Sequence, residues 1–287
     1  MVQLVVICRG GSRWKLFART ALAILALSGP ASAQRVAIPN FWDPRARAER
    51  PDVPATRVVR FLVDDDFPPF HFAGPDGAPT GFSVELARAL CERLNLTCTV
   101  QARRFETLLN ALAEARGDAV AAAIPITADI RARFGATQVY FRNPARFAAR
   151  RDRAVEPTPK ALEGRSVGVV VGTAHEAYLR AFFPSAAARV EPDLVTALTS
   201  LRRGETDLVF ADGVGLARWV GGADSGDCCA LVGGPYLESR FFGEGIGLLV
   251  RKDDDVLRRT LDYGLQQLWD EGKYAEIYLR FFPVSPF

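Results

Sequence analysis

From Arg57 onward, short apolar runs alternate with stretches whose apolar residues recur every three to four positions, the alternation of an α/β fold. Val58 to Val63 reads as the first strand. Val84 to Leu94 follows as a helix with Leu86, Leu90 and Leu94 on one face and Ser83 placed to cap it. Thr97 to Gln101 is a strand, Phe105 to Ala115 a helix closed at Gly117, and Asp118 to Ile124 a small-residue strand that Pro125 stops. Beyond Tyr140–Pro144 a second series begins, with a strand at Ser166–Val171, where Gly172-Thr173-Ala174 breaks into a helix through Phe182. A strand at Val190, a helix at Leu194–Leu201 and a strand at Leu208–Ala211, ending in Asp212, complete that series. The chain crosses back near Arg240–Gly245, then adds the strand Ile246–Val250 and helices Asp254–Asp270 and Lys273–Phe281. Two series joined by two crossings imply a discontinuous first lobe, 57–142 plus 243–287, and a continuous second lobe, 143–242.

The first strand ends abruptly. Phe61-Leu62-Val63 gives way to Asp64-Asp65-Asp66, then to Phe67-Pro68-Pro69-Phe70. A strand end carrying charge and aromatics beside a stiff turn suits a small-molecule pocket; a solvated turn is the competing reading. Alternate strand residues point oppositely, so Asp64 is expected in the cleft and Asp65 and Asp66 in the turn. His71, beyond the two prolines, reads as a surface residue. The acids and His71 match no metal-site spacing, and neither a metal nor a cofactor is expected.

Charge and cysteines change the picture mainly at the N-terminus. Met1–Ala33 has a basic start, an apolar core at Ala21–Leu27 and small residues at Ala31 and Ala33, the pattern of a secretory signal cleaved near Ala33. Its Arg9, Arg13, Lys15 and Arg19 exceed the formal net charge of +3, so the processed chain carries −1. That balance gives no basis for nucleic-acid binding. Residues 34–56 form a Pro- and Arg-rich arm in which Phe41 and Trp42 could meet a partner or pack on the protein itself. Export to a periplasm makes a disulfide between Cys91 and Cys98 natural, since they end one helix and begin the next strand. Cys228 and Cys229 are left as two thiols or a vicinal bridge.

In order and spacing, several motifs resemble the bacterial extracellular solute-binding proteins of family 3. They are Phe67-Pro68-Pro69-Phe70, Gly81-Phe82-Ser83-Val84-Glu85-Leu86, Gly117-Asp118-Ala119, Leu162–Val169, Gly172-Thr173, Gly204-Glu205-Thr206-Asp207 and Gly272-Lys273-Tyr274. The resemblance covers about Arg57 to Pro283. It implies the two-lobed periplasmic-binding-protein fold (type II) that closes on ligand, a monomer serving an ABC transporter permease in the inner membrane, and no catalysis. Position by position it implies ligand contacts from Asp64, Phe67, Phe105 and Thr127 on one lobe. On the other lobe it implies Thr173 and Ala174 at a helix N-terminus, His175 beside the ligand side chain, and Asp212 at the ligand ammonium.

One position departs from the family. Its carboxylate-clamping Arg falls three residues after Thr127, where this chain has Ile130; Ala123 and Pro125 replace the usual hydroxyls. Arg131 reaches the cleft only if the helix slides by one residue, a turn of about 100°. Loss of a buried guanidinium–carboxylate pair typically costs about 2–5 kcal/mol, so an amine-bearing, non-standard amino-acid-like ligand is expected. Two other functions follow from relatives on this fold: an accessory or sensor protein of a quinoprotein dehydrogenase, and a periplasmic dehydratase-like enzyme using His71 or His175.

Overall fold

The computed structural model describes residues 38–41 and 58–287, so the expected signal segment and most of the arm, Trp42 included, lie outside the described residues. The first part of the chain runs β1 (Val58–Val63), β2 (Asp66–Phe67), β3 (His71–Ala73), β4 (Pro79–Thr80), α1 (Phe82–Leu94), β5 (Thr97–Ala102), α2 (Leu108–Ala113), β6 (Ala119–Val120), α3 (Ala128–Arg133) and β7 (Phe134–Ala136). The middle runs β8 (Ala145–Arg150), β9 (Ser166–Val170), α4 (Ala174–Phe182), β10 (Ala187–Glu191), α5 (Leu194–Arg203), β11 (Leu208–Asp212), α6 (Gly213–Val220), β12 (Cys229–Tyr236) and α7 (Ser239–Phe242). It closes with β13 (Leu249–Arg251), α8 (Asp255–Asp270) and α9 (Lys273–Phe281).

These strands make two five-stranded sheets, ordered β5-β1-β6-β13-β7 and β10-β9-β11-β8-β12, and a small β2-β3-β4 sheet. In the first, β1 lies parallel to β5 on one side and β6 on the other, so the order reverses beside β1. In the second, β9 lies parallel to β10 and β11, and the order reverses beside β9. Open parallel sheets leave a crevice at the carboxyl ends of strands where the order reverses. Each sheet therefore carries its own crevice: Asp64 and Ala121–Ala123 end β1 and β6, and Gly172–Thr173 and Asp212 end β9 and β11.

The period-two burial of β1 explains how one strand serves two cores. Phe61 and Val63 join a cluster with Leu86, Leu90, Leu261 and Leu265, while Leu62 faces a second cluster with Leu108, Ile126, Ile130 and Phe134. Helices α1 and α8 approach closely at Gly264, where a Cβ would lie 2.7 Å from Leu90 Cδ2. Cys91 and Cys98 are joined with a Cα separation of 6.1 Å, tying the end of α1 to the start of β5. Cys228 and Cys229 are also joined, which settles the vicinal pair as a bridge.

Two chain passages link the sheets side by side: Phe141 and Ile246 form an antiparallel bridge, and Gly243 and Gly245 hold positive φ of 75° and 131°. The tail after α9 adds a further link. Arg146 Nη1 on β8 donates to the Pro286 carbonyl at 3.1 Å, and Val284 packs so near Gly221, just past α6, that a Cβ there would sit 2.9 Å from Val284 Cγ2. Phe41 of the arm packs on Phe287 and Phe141, ring centroids 5.9 and 6.5 Å apart. This part of the arm is packed on the protein itself.

Several sequence expectations change. Ser83 does not cap α1, whose N-cap is Gly81 with no side-chain bond; Ser83 is buried with Oγ 3.0 Å from the Tyr140 hydroxyl. The strand expected over Asp118–Ile124 is confined to Ala119–Val120. His71 is not at the surface: its side chain is 1 % exposed, for reasons that belong to the site.

Candidate functional site

At the carboxyl end of β1, Asp64, Asp65, Asp66, Phe67, His71, Arg104, Phe105, Glu106 and Ala123 surround a cavity of about 680 Å³. Its size suits a small organic ligand. Phe67 and Phe105 form walls that are 43 % and 51 % exposed, and no residue of the β8–β12 sheet lines the cavity, so the cleft stands open on that side. Phe67 stacks on Phe70 at 5.6 Å, which fixes its ring against the first core. Four carboxylates and one guanidinium face this space. Asp65 and Asp66, expected only as turn residues, share the cavity because β2 folds straight back on β3 and keeps the whole acidic run at its mouth.

His71 is the residue that sequence reasoning misplaced. The Phe67↔His71 pairing of β2 and β3 turns its ring inward. Nδ1 meets Asp64 Oδ1, and Nε2 accepts the Ala123 N–H at 3.0 Å. An imidazole nitrogen that accepts a backbone N–H carries no proton, so the ring hydrogen sits on Nδ1, the nitrogen that lies against Asp64 Oδ1. Arg104 was missed as well. The only signal available was its place next to the predicted wall residue Phe105.

The expected residues of the other half gather at the crevice of the second sheet. Thr173 caps α4: its Oγ1 accepts from Glu176 N at 3.2 Å and donates to the Val170 carbonyl at 2.8 Å. Ala174 opens the same helix. Asp212 caps α6, with Oδ1 accepting from Gly215 N at 2.7 Å and from Asn143 Nδ2 at 3.3 Å. His175 is half-buried between the rings of Phe210 and Phe242, at 5.7 and 5.2 Å. Burial lowers its pKa below the ordinary imidazole value, and the Asp212 carboxylate opposes that shift. Two helix N-termini thus flank a neutral imidazole and a carboxylate, a setting that can take both a donor and an acceptor of one ligand.

Thr127 is not brought to the cavity. It caps α3, its Oγ1 accepting from Ile130 N at 3.3 Å. Ile130 is buried in the second core cluster, and Arg131 is held in a two-bond pair with Glu244, Nε to Oε1 at 2.8 Å and Nη2 to Oε2. Neither Ile130 nor Arg131 is among the residues that line the cavity.

Residues 59–284 match the bacterial extracellular solute-binding proteins, family 3. The chain belongs to that family. Among family 3 relatives, the L-arginine-binding protein of Pseudomonas aeruginosa is 30 % identical over 234 residues, covering 81 % of this chain and 90 % of that protein. The lysine/arginine/ornithine-binding periplasmic protein of Escherichia coli is 27 % identical over 232 residues, covering 79 % and 88 %. Among solved structures, substrate-binding domain 2 of Lactococcus lactis GlnP, in an open conformation, superposes with a TM-score of 0.72 at 21 % identity, over 81 % of this chain and 98 % of that one. The fold is therefore that of the two-lobed periplasmic binding proteins, as the resemblance implied.

Proposed function

We propose that this family 3 protein is a periplasmic binding protein for a small amine-bearing ligand, which it delivers to an ABC importer by closing lobe 143–242 onto lobe 57–142 plus 243–287. Four carboxylates against one guanidinium around the Asp64 cavity carry this reading. Of the four only Asp64 is buried, the others standing exposed at its mouth; a buried carboxylate is costly without a cationic partner, and a bound cation supplies it. Asp64, Phe67 and Phe105 hold one end of the ligand. Thr173, Ala174, His175 and Asp212 receive the other as the lobes close, and closure is favoured only by these added contacts. Among the described residues that line the cavity, Arg104 supplies a cation for an acidic group on the ligand. Binding proceeds without chemical conversion, and the chain reaches the periplasm through a signal segment cleaved near Ala33. The names of the arginine- and lysine/arginine/ornithine-binding relatives support a cationic ligand, while Ile130 sets this cleft apart from an ordinary α-carboxylate site.

The test is isothermal calorimetry of the processed chain with lysine, ornithine, arginine, alkyl diamines, glutamine and glutamate. Cations are expected to bind and the neutral and acidic amino acids to bind at least about tenfold more weakly, or about 1.4 kcal/mol. Tighter binding of glutamine or glutamate refutes the reading.

A further inference from the structure

Asp64 does not offer both carboxylate oxygens to the cavity. Oδ1 is sealed from solvent and faces His71 Nδ1, so Oδ2 is the oxygen a ligand can reach. The imidazole is held from three sides: Phe67 leans on its ring at 5.6 Å, Ala123 N–H donates to Nε2, and Asp64 Oδ1 lies against Nδ1. Oδ1 is therefore covered by the ring and closed to a ligand.

We infer that His71 is a positioning residue that sets the ligand class of this half-site, admitting a single ammonium group and disfavouring a guanidinium. The inference rests on the cationic-ligand reading above. A guanidinium pairs best with a carboxylate through two parallel N–H···O bonds, one to each oxygen. With Oδ1 committed to His71, one arm of that fork has no acceptor and meets the Nδ1–H side of the ring, donor against donor. An ammonium is a compact charge with three rotatable donors. It needs only Oδ2 from Asp64 and can turn its other hydrogens toward Asp65, Asp66 or Glu106, or lie over the faces of Phe67 and Phe105. Arg104, on the same wall, repels both cations and does not distinguish them by hydrogen-bond geometry.

Calorimetry of the processed chain with two matched pairs tests this: lysine against arginine, and n-pentylammonium against n-butylguanidinium, the second pair carrying one cation each. The ammonium member of each pair is expected to bind at least about tenfold tighter, the scale of one charge-assisted hydrogen bond. His71→Asn, whose amide N–H can replace Nδ1–H on Oδ1, should keep the preference. His71→Ala, which frees Oδ1, should narrow it or invert it. Nitrogen NMR of the free wild-type protein provides a readout that needs neither variant nor ligand, and should show the Nδ1–H tautomer at His71. A tenfold guanidinium preference in the wild type, an unchanged preference in a folded His71→Ala, or an Nε2–H tautomer each overturns the inference and leaves the cationic reading standing. Binding of neither member of either pair overturns both.

Discussion

Restoring the family's arginine at position 130 should not restore its carboxylate site. Ile130 is 8 % exposed and belongs to the cluster of Leu62, Leu108, Ile126 and Phe134. Ile130→Arg removes a buried aliphatic side chain worth about 1.5–3 kcal/mol. It also sets a guanidinium among apolar neighbours, where an uncompensated charge costs about 3–5 kcal/mol before the long stem reaches toward water. A net loss of about 4 kcal/mol is a fair central value, and at about 2–4 °C per kcal/mol for a chain of this size the melting temperature should fall by about 8–16 °C. Ile130→Ala, which only leaves a cavity, should lose about 2–5 kcal/mol and serves as the comparator. Calorimetric melting of both variants, followed by titration with glutamine and lysine, gives the answer. An Ile130→Arg protein that melts within 2 °C or so of the wild type and gains tenfold or more in affinity for both amino acids would show that the side chain reaches the cleft, and that the burial argument is wrong.

Asp64→Asn keeps an acceptor for His71 but removes the charge, and should weaken lysine binding by about 30-fold or more, read by calorimetry. An unchanged affinity would remove Asp64 from the site. Replacing Cys91 and Cys98 by Ser opens a loop whose ends are seven residues apart and should cost about 2.4 kcal/mol by the loop-entropy relation, seen as a lower denaturant midpoint. Burial pushes the Asp262 carboxyl up to about 6, against the Gln138 N–H and Arg258, which favour its charged form. The folded state thus holds this proton more tightly than the unfolded chain, a contribution fully present below the unfolded value near 4 and lost as pH rises through about 6. Relative to Asp262→Asn, the wild type should therefore lose about 2.4 kcal/mol between pH 4 and pH 7.5 in urea titrations; a pH-independent difference would refute the shift.

Much of the fold was legible because β/α alternation is a local signal. The Leu86–Leu90–Leu94 stripe, the break at Gly172-Thr173 and the acid ending β11 each lie within a few residues of what they specify. Asp64, Phe67 and Phe105 were legible for the same reason and do meet at one cavity. What the sequence hid depends on tertiary pairing. His71 looked like a surface residue until the β2–β3 fold-back put it under Phe67 and 3.0 Å from an amide 52 positions away. Ser83, a capping residue by type, is instead consumed by Tyr140, 57 positions on. Thr127 and Ile130 do not line the cavity, because Thr127 caps α3, a six-residue helix whose one buried side chain is Ile130.

The tail beyond α9 has a mechanical consequence. Gly221 stands eight residues along from the start of α6, which at helical rise is about 12 Å from Gly213 and the interlobe crossing beside it. With that lever arm, each degree of rotation about the crossing carries Gly221 by about 0.2 Å relative to the first lobe. Val284 and Pro286 grip the second lobe there while their chain is rooted in α9, so any sizeable rotation must either shear these contacts or drag the tail along. Under the proposed closure, the resistance of that link would enter the closing equilibrium directly, and ligand affinity would then be adjustable at residues that never touch ligand.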